Sequence, residues 1–309
     1  MTGKLRIGTR GSALALAQTG TIASSLTART GVETELVVIS TVGDRSTDSL
    51  ASLGGTGVFA TALRDALLAG ECDVVVHSLK DLPTAPQPGL TIGAIPKRAD
   101  ARDALCARDA LTLDTLPAGA RVGTGSPRRV AQLRSLRPDL EILDIRGNVD
   151  TRLGKVANGE LDAVILAAAG LERLGRSDAI TQYLDLDAWP TAPGQGALAV
   201  EVRTGDEKLV KALEHASSRI IVDAERRVLA LLEAGCSAPV GAHAIIEDGM
   251  LFLSARVYAS TGSAQAAPYI TSSHALYVAD AKEPATDVAD RVAKELFDLG
   301  AARLMGEAR

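Results

Sequence analysis

Residues 121–167, RVGTGSPRRVAQLRSLRPDLEILDIRGNVDTRLGKVANGELDAVILA, alternate short apolar runs with helical spacing. RVGTGS reads as a strand running into a glycine-marked turn. Pro127 then opens a helix, PRRVAQLRSL, at the one helical position where its missing N–H costs nothing. LEILDI is the next strand, the segment after Asn148 is helical, and LDAVILAA is a buried strand. Strand–helix–strand alternation of this kind predicts a mainly parallel α/β sheet.

The same grammar runs through roughly the first 215 residues. KLRIGT is a strand, and Ser12 is placed to cap a helix that reaches about Thr30. ETELVVIS is a second strand, a helix follows from about Val58 to Ala69, and CDVVVHS is a buried strand. Between them, residues 41–56 are polar and glycine-rich and read as a mobile loop. GQGALAVEVR, near 194–203, reads as a strand that returns to the first unit. In the last third, SSRIIVDAERRVLALLEAG is an amphipathic helix ending at Gly235. HAIIEDGMLFLSARV is a hairpin around Asp248-Gly249, a strong hairpin signal. A helix from about Pro284 to Leu299 closes the chain. The expected organisation is α/β: residues 1–98 with 192–214 form one α/β domain, 99–191 a second, and 215–309 an α+β domain.

Composition narrows the function. A chain of 309 residues with 46% hydrophobic content can bury a sizeable core. Its net charge is -5 and only 3% of its residues are aromatic. Backbone neutralisation needs the opposite charge and single-strand binding needs stacking platforms, so nucleic acid is not an expected partner. No run approaches ~18 apolar residues, so no transmembrane helix is predicted. Arg6, Arg10 and Gln18 interrupt the first apolar stretch, which therefore does not read as a signal peptide. Three cysteines without a CxxC fit a reduced, cytoplasmic protein. Four scattered histidines show no ligand spacing, so no metal is expected.

Against this acidic background, Arg121, Arg128, Arg129, Arg134, Arg137, Arg146 and Arg152 crowd into 32 residues with only four acids, a local balance of +3. Several sit in turns, and the guanidinium fork suits bidentate carboxylate or phosphate recognition. GTGSPRR joins a strand to a helix, so its N–H groups face any anion there. It is neither GxGxxG nor a P-loop, and an anion site and solvated surface arginines both remain open. VHSLKDLP places Ser78, Lys80 and Asp81 just beyond a buried strand, where α/β proteins bind ligands. Asp81 is either a proton-shuttling carboxylate that stabilises a cation or the cap of the turn at Leu82-Pro83. His77, behind three valines, reads as buried and without a catalytic role. Cys72 and Cys106 suit small buried hydrophobes. Cys236, in EAGCSAPVG, is either structural or a reactive loop thiol, and His215, His243 and His274 carry no signature of a partner base.

Six strings in order, RIGTRGSALALAQ, VHSLKDLPT, GTGSPRR with RGNVDTRL, LAAAGLERLG, APGQGALAVEVR and EAGCSAPVG, resemble the porphobilinogen deaminases (hydroxymethylbilane synthases) over essentially the whole chain. The resemblance implies two periplasmic-binding-protein-like α/β domains with a crossover, plus a C-terminal α+β domain carrying the cofactor cysteine. It implies a transferase that deaminates four porphobilinogen molecules and condenses them head to tail. Growth occurs on a covalent dipyrromethane, one per chain, and water then releases hydroxymethylbilane for haem and other tetrapyrroles. By the same resemblance Cys236 holds the cofactor as a thioether and Asp81 is catalytic. Lys80, Asp81, Ser126, Arg128, Arg129 and Arg146 bind the cofactor; Arg10, Ser12, Arg146, Arg152 and Arg173 bind substrate. Six pyrrole units carry twelve carboxylates, which a set of arginine forks suits and a single anion pocket does not. Arg121, Arg134 and Arg137 fall outside the matched positions and read as surface or structural residues. Loop 41–56 is a candidate lid. The resemblance further implies a monomer that passes its product to uroporphyrinogen-III synthase. Gly125 and Pro127 depart from the serine and leucine found in many members. The competing readings are a two-lobed anion-binding protein without catalysis and a cysteine hydrolase.

Overall fold

The computed structural model describes residues 3–40, 57–233, 239–259 and 268–306. The chain divides into two compact units, residues 1–99 with 196–219 and residues 100–195 with 220–309. It therefore leaves the first unit after Ala99, re-enters it at Gly196 and leaves it again after Arg219.

The first unit is built on strands β1 (Leu5–Thr9), β2 (Thr34–Val38), β3 (Val74–Ser78) and β4 (Leu90–Ala94) and the returning strand (Leu198–Arg203). In chain order the returning strand is β10, after five strands of the second unit. The sheet order is β2-β1-β3-β10-β4. β1 pairs in parallel with β2 and β3, whereas β10 runs antiparallel to β3 and β4. Helix α1 (Ala13–Thr30) connects β1 to β2, and its first turn is capped by Ser12 Oγ, which accepts from the Ala15 N–H at 3.3 Å. The helix stops at Gly31, whose φ of 74° supplies the left-handed cap. α2 (Gly57–Leu68) precedes β3. Ile7, Val74, Val76, Val200 and Val202 form the sheet's share of the core.

The second unit repeats this plan. Its strands β5 (Asp103–Ala107), β6 (Arg121–Gly123), β7 (Glu141–Leu143), β8 (Ala163–Ala167) and β9 (Gln182–Tyr183) are ordered β7-β6-β8-β5-β9. β6 is parallel to β7 and β8, and β5 is the antiparallel member. Helices α3 (Pro127–Leu136), α4 (Val149–Ala157) and α5 (Ala168–Arg173) follow β6, β7 and β8. In each of β3, β5 and β8 the first four residues are buried and the fifth half-buried, the pattern of strands covered on both faces.

Helix α6 (Ala216–Leu231) starts in the first unit and from Ile220 belongs to the second, where it leads to an antiparallel sheet of β11 (Val240–Glu247), β12 (Met250–Tyr258) and β13 (Tyr269–Tyr277). α6 ends at Leu231, short of the expected Gly235, and Glu233 already has a φ of 50°. The β11–β12 turn is Asp248-Gly249, both with positive φ (49° and 78°), as a two-residue hairpin with right-handed strand twist requires. α7 (Pro284–Asp298) buries Val288, Val292 and Leu296 against Leu251, Leu253 and Val257.

The fold is thus two mixed five-stranded α/β sheets of one topology and a crossover, followed by an antiparallel sheet covered by helices. No helix among the described residues is long and apolar enough to cross a membrane. Loop 41–56 and Cys236 lie outside the described residues.

Candidate active site

In the first unit the predicted site residues sit at the carboxyl ends of two neighbouring parallel strands. Arg10 and Ser12 occupy the turn from β1 into α1, where Thr9 Oγ1 accepts from Thr19 Oγ1 at 2.8 Å below the surface. Lys80 and Asp81 occupy a single 3-10 turn, Leu79–Asp81, directly after β3. Two bonds fix this turn: Gln18 Nε2 of α1 donates to Ser78 Oγ at 2.9 Å, and the Leu79 N–H donates to Ala197 O at 3.1 Å. Asp81 is half-buried. The Leu82 N–H goes to Leu79 O at 3.1 Å, so that donor is not capped by Asp81. Among the described residues the Asp81 carboxylate accepts no hydrogen bond, and the turn that carries it is held by its neighbours.

Beneath this turn lies a buried triad. His77 Nε2 is 3.1 Å from Glu201 Oε2, and Arg64 Nη2 donates to Glu201 Oε1 at 2.8 Å. Burial pushes the Glu201 carboxyl up, but hydrogen bonds and charge from His77 and Arg64 more than offset it and hold the pKa below its ordinary value. His77 is buried, and its contact is structural.

In the second unit the arginines collect at the carboxyl ends of β6, β7 and β8. Ser126 caps α3 by accepting from the Arg129 N–H at 3.5 Å, with Pro127 at the first helical position. A Cβ on Gly125 would lie 2.8 Å from Ile145 O, so the turn before Arg146 packs against bare backbone. Asn148 caps α4 through the Thr151 N–H at 2.9 Å. Arg146 is exposed and lies 3.5 Å from Asp144. Arg152 donates through Nε to Gly147 O at 2.9 Å. Burial lowers its pKa, and repulsion from Arg129 and Arg146 lowers it further; only Asp144 opposes them. Among the described residues no carboxylate lies within ion-pair distance of Arg152. Arg173 ends α5, half-buried, and burial lowers its pKa too.

Arg128 and Arg129 differ from the rest because they are buried, 4% and 6% exposed. Both reach Asp103: Arg128 Nη2 to Oδ2 at 2.9 Å and Arg129 Nη2 to Oδ1 at 2.6 Å. The Nε of each is buried and has no partner among the described residues. Arg128, Arg129, Arg146 and Arg152 are four positive charges against Asp103 and Asp144, a surplus of two. A cluster that repels itself, leaves buried donors open and adjoins a helix N-terminus fits a bound polycarboxylate. Arg121 and Arg137 are engaged elsewhere, with Asp162 at 3.5 Å and Asp139 at 2.6 Å, as their structural reading requires.

Two family models match. The one described as porphobilinogen deaminase, dipyromethane cofactor binding domain, covers residues 5–211, and the porphobilinogen deaminase C-terminal domain covers residues 220–298. The chain belongs to the porphobilinogen deaminase family. Among curated relatives, the porphobilinogen deaminase of Leifsonia xyli is 60% identical over 98% of this chain and 94% of its own length. That of Thermobifida fusca is 53% identical over 98% and 96%. Porphobilinogen deaminase 1 of Streptomyces coelicolor is 51% identical over 98% and 98%. Solved structures with partial likeness include a periplasmic substrate-binding protein of an ABC transporter from Coxiella burnetii, with a TM-score of 0.43 and 15% identity over 68% of this chain and 91% of that one. The methionine-binding protein MetQ has a TM-score of 0.43 and 11% identity over 68% and 89%.

As a member of this family the chain is a transferase of tetrapyrrole biosynthesis with dipyrromethane as its cofactor. No sequence motif marks Asp103, which takes both buried arginines, nor Trp189 and Gln195, which donate to Asp103, nor Gln132, which accepts from Arg128. The available signals were an aspartate inside the apolar run DALCA and a lone tryptophan, and neither says which side chain it meets.

Proposed function

We infer that the enzyme deaminates four porphobilinogen molecules, joins them head to tail and releases hydroxymethylbilane by addition of water. The observation that carries this reading is the uncompensated arginine cluster at the start of α3, beside the strand ends of a domain matched to the cofactor-binding family model. Dipyrromethane, when bound, supplies the electron-rich pyrrole end on which the chain grows.

In this proposal Cys236 holds that group as a thioether. Lys80, Ser126, Arg128, Arg129 and Arg146 take its acetate and propionate groups; Arg10, Ser12, Arg146, Arg152 and Arg173 take those of the incoming substrate. Charge-assisted bonds from guanidinium forks orient planar carboxylates as well as attract them. Asp81 stabilises positive charge on pyrrole N–H groups as ammonia departs and moves the protons that the condensation releases. Its fixed turn supports this role, because a preorganised carboxylate needs no reordering as charge develops. Residues 215–309 act as a separate domain that carries the cofactor cysteine, beside domains 1–98 with 192–214 and 99–191. Loop 41–56 serves as the lid. The enzyme works as a monomer in the cytoplasm and passes its product to uroporphyrinogen-III synthase; the buried free thiols of Cys72 and Cys106 agree with a reducing compartment.

Intact mass tests the cofactor directly. Purified protein should exceed its sequence mass by two pyrrole units, lost on Cys236→Ser, and should colour with an acidic aldehyde pyrrole reagent. An unmodified Cys236 in turning-over enzyme would overturn the assignment.

A further inference from the structure

Asp103 opens β5 and is 0% exposed. Four donors fill its two oxygens. Oδ2 accepts from Arg128 Nη2 at 2.9 Å and Trp189 Nε1 at 2.8 Å. Oδ1 accepts from Arg129 Nη2 at 2.6 Å and Gln195 Nε2 at 2.8 Å. The guanidiniums are anchored on their other sides as well. Arg128 Nη1 donates to Gln132 Oε1 at 2.6 Å and Pro190 O at 3.1 Å, and Arg129 Nη1 donates to Ile165 O at 2.9 Å. Burial pushes the Asp103 carboxyl up, but Arg128 and Arg129 outweigh it and keep it ionised far below the usual carboxylate range.

The carboxylate is saturated and the arginines are not. Two guanidiniums face one carboxylate, so the group carries one surplus positive charge, and both Nε–H donors are buried without partners among the described residues. A buried ionic group that served stability alone would balance its charges and close its donors. This one is rigid and incomplete, and it forms the first turn of α3, where N–H groups and the helix dipole also favour an anion.

We propose that Asp103 is a positioning residue, which acts through Arg128 and Arg129 to fix both guanidiniums so that the pair receives one carboxylate of the pyrrole chain. The proposal rests on the assignment of Arg128 and Arg129 to the cofactor. Asp103 itself touches neither cofactor nor substrate. Its single charge sets the capacity of the pair: with no acid there the two arginines would repel each other, and with a second acid no charge would remain for the ligand.

The test compares Asp103→Asn with Trp189→Phe by intact mass and thermal unfolding of freshly purified protein. Trp189→Phe removes a hydrogen bond to the same carboxylate and leaves both arginines and the charge balance in place. Both variants should melt several degrees below wild type. The fraction carrying two pyrrole units should fall at least fivefold in Asp103→Asn and stay near wild type in Trp189→Phe. Equal loading of Asp103→Asn and wild type overturns the proposal. Loss of loading in both variants overturns it too, because stability alone would then govern loading. If Asp103→Asn does not fold, Asp103→Ser leaves space for water to hydrate the guanidiniums and is read in the same way. Wild type without the added mass would instead overturn the cofactor assignment, so the two failures are distinguishable.

Discussion

His77 Nε2 lies 3.1 Å from Glu201 Oε2, and this bond ties the strand that ends in Lys80 and Asp81 to the returning strand beside it. Arg64, from α2, takes the other oxygen of the same carboxylate at 2.8 Å. Three elements therefore meet at one buried charge next to the turn that carries Lys80 and Asp81. Glu201→Gln leaves Arg64 buried without a counterion, and a loss of about 3 kcal/mol is expected, read as a lower urea midpoint with an unchanged slope. The pH dependence has a definite sign. The folded pKa of Glu201 is lowered, so its contribution is present above about pH 4.3, the unfolded value, and is lost as pH falls through the folded value. Wild type should lose this component on acidification and Glu201→Gln should not. Parallel acid profiles would remove Glu201 from the account.

Asp81 is half-buried, and it makes no contact on which the turn depends; backbone bonds and Ser78 hold the turn instead. Asp81→Ala should therefore leave the melting temperature within a degree or two of wild type. Turnover should fall ~100-fold or more, the usual share of a positioned proton-transfer group, while porphobilinogen still binds. Steady-state kinetics and single-turnover capture of bound substrate separate the two effects. Near-normal turnover would take Asp81 out of the mechanism.

The arginines that look alike in sequence should separate in the laboratory. Arg146 is exposed and its ion pair with Asp144 is long, at 3.5 Å, so Arg146→Leu should change stability by no more than about 0.5 kcal/mol. Arg128 is 4% exposed and donates to Asp103, Gln132 and Pro190 O, so Arg128→Leu leaves buried acceptors short of a donor and should cost about 2 kcal/mol or more. Both should impair cofactor assembly or elongation. Wild-type product formation by both variants would contradict the carboxylate-cradle reading.

This difference in burial marks where the sequence stopped being informative. The strands Val74–Ser78 and Ala163–Ala167 were legible because continuous apolar runs are what doubly covered strands need. The caps at Ser12, Ser126 and Asn148 and the Asp248-Gly249 hairpin were local and equally readable. Asp103 was not, because its burial depends on arginines 25 and 26 residues away and on Trp189, 86 away. β13 carries no strand signal for a related reason. Its inward positions include Ser272 and His274, and both are satisfied by Glu295 of α7, at 2.6 and 2.9 Å, so a polar-looking segment lies in a sheet. Long-range polar satisfaction leaves no periodic trace.

Arg152 offers the sharpest separation of ligand binding from folding. Its charge is disfavoured by burial and by Arg129 and Arg146, so folding costs energy while Arg152 remains protonated and no anion is bound. In a Cys236→Ser background, which removes the thiol proposed to hold the cofactor, Arg152→Leu should melt at or above the temperature of its parent. Citrate, a small polycarboxylate, should raise the melting temperature of the parent by neutralising the cluster, following the usual linkage between ligand binding and stability. The rise should be clearly smaller in Arg152→Leu, and chloride at matched ionic strength should not reproduce it. A destabilised Arg152→Leu with an undiminished citrate response would show that Arg152 serves the fold and that the anion demand lies elsewhere.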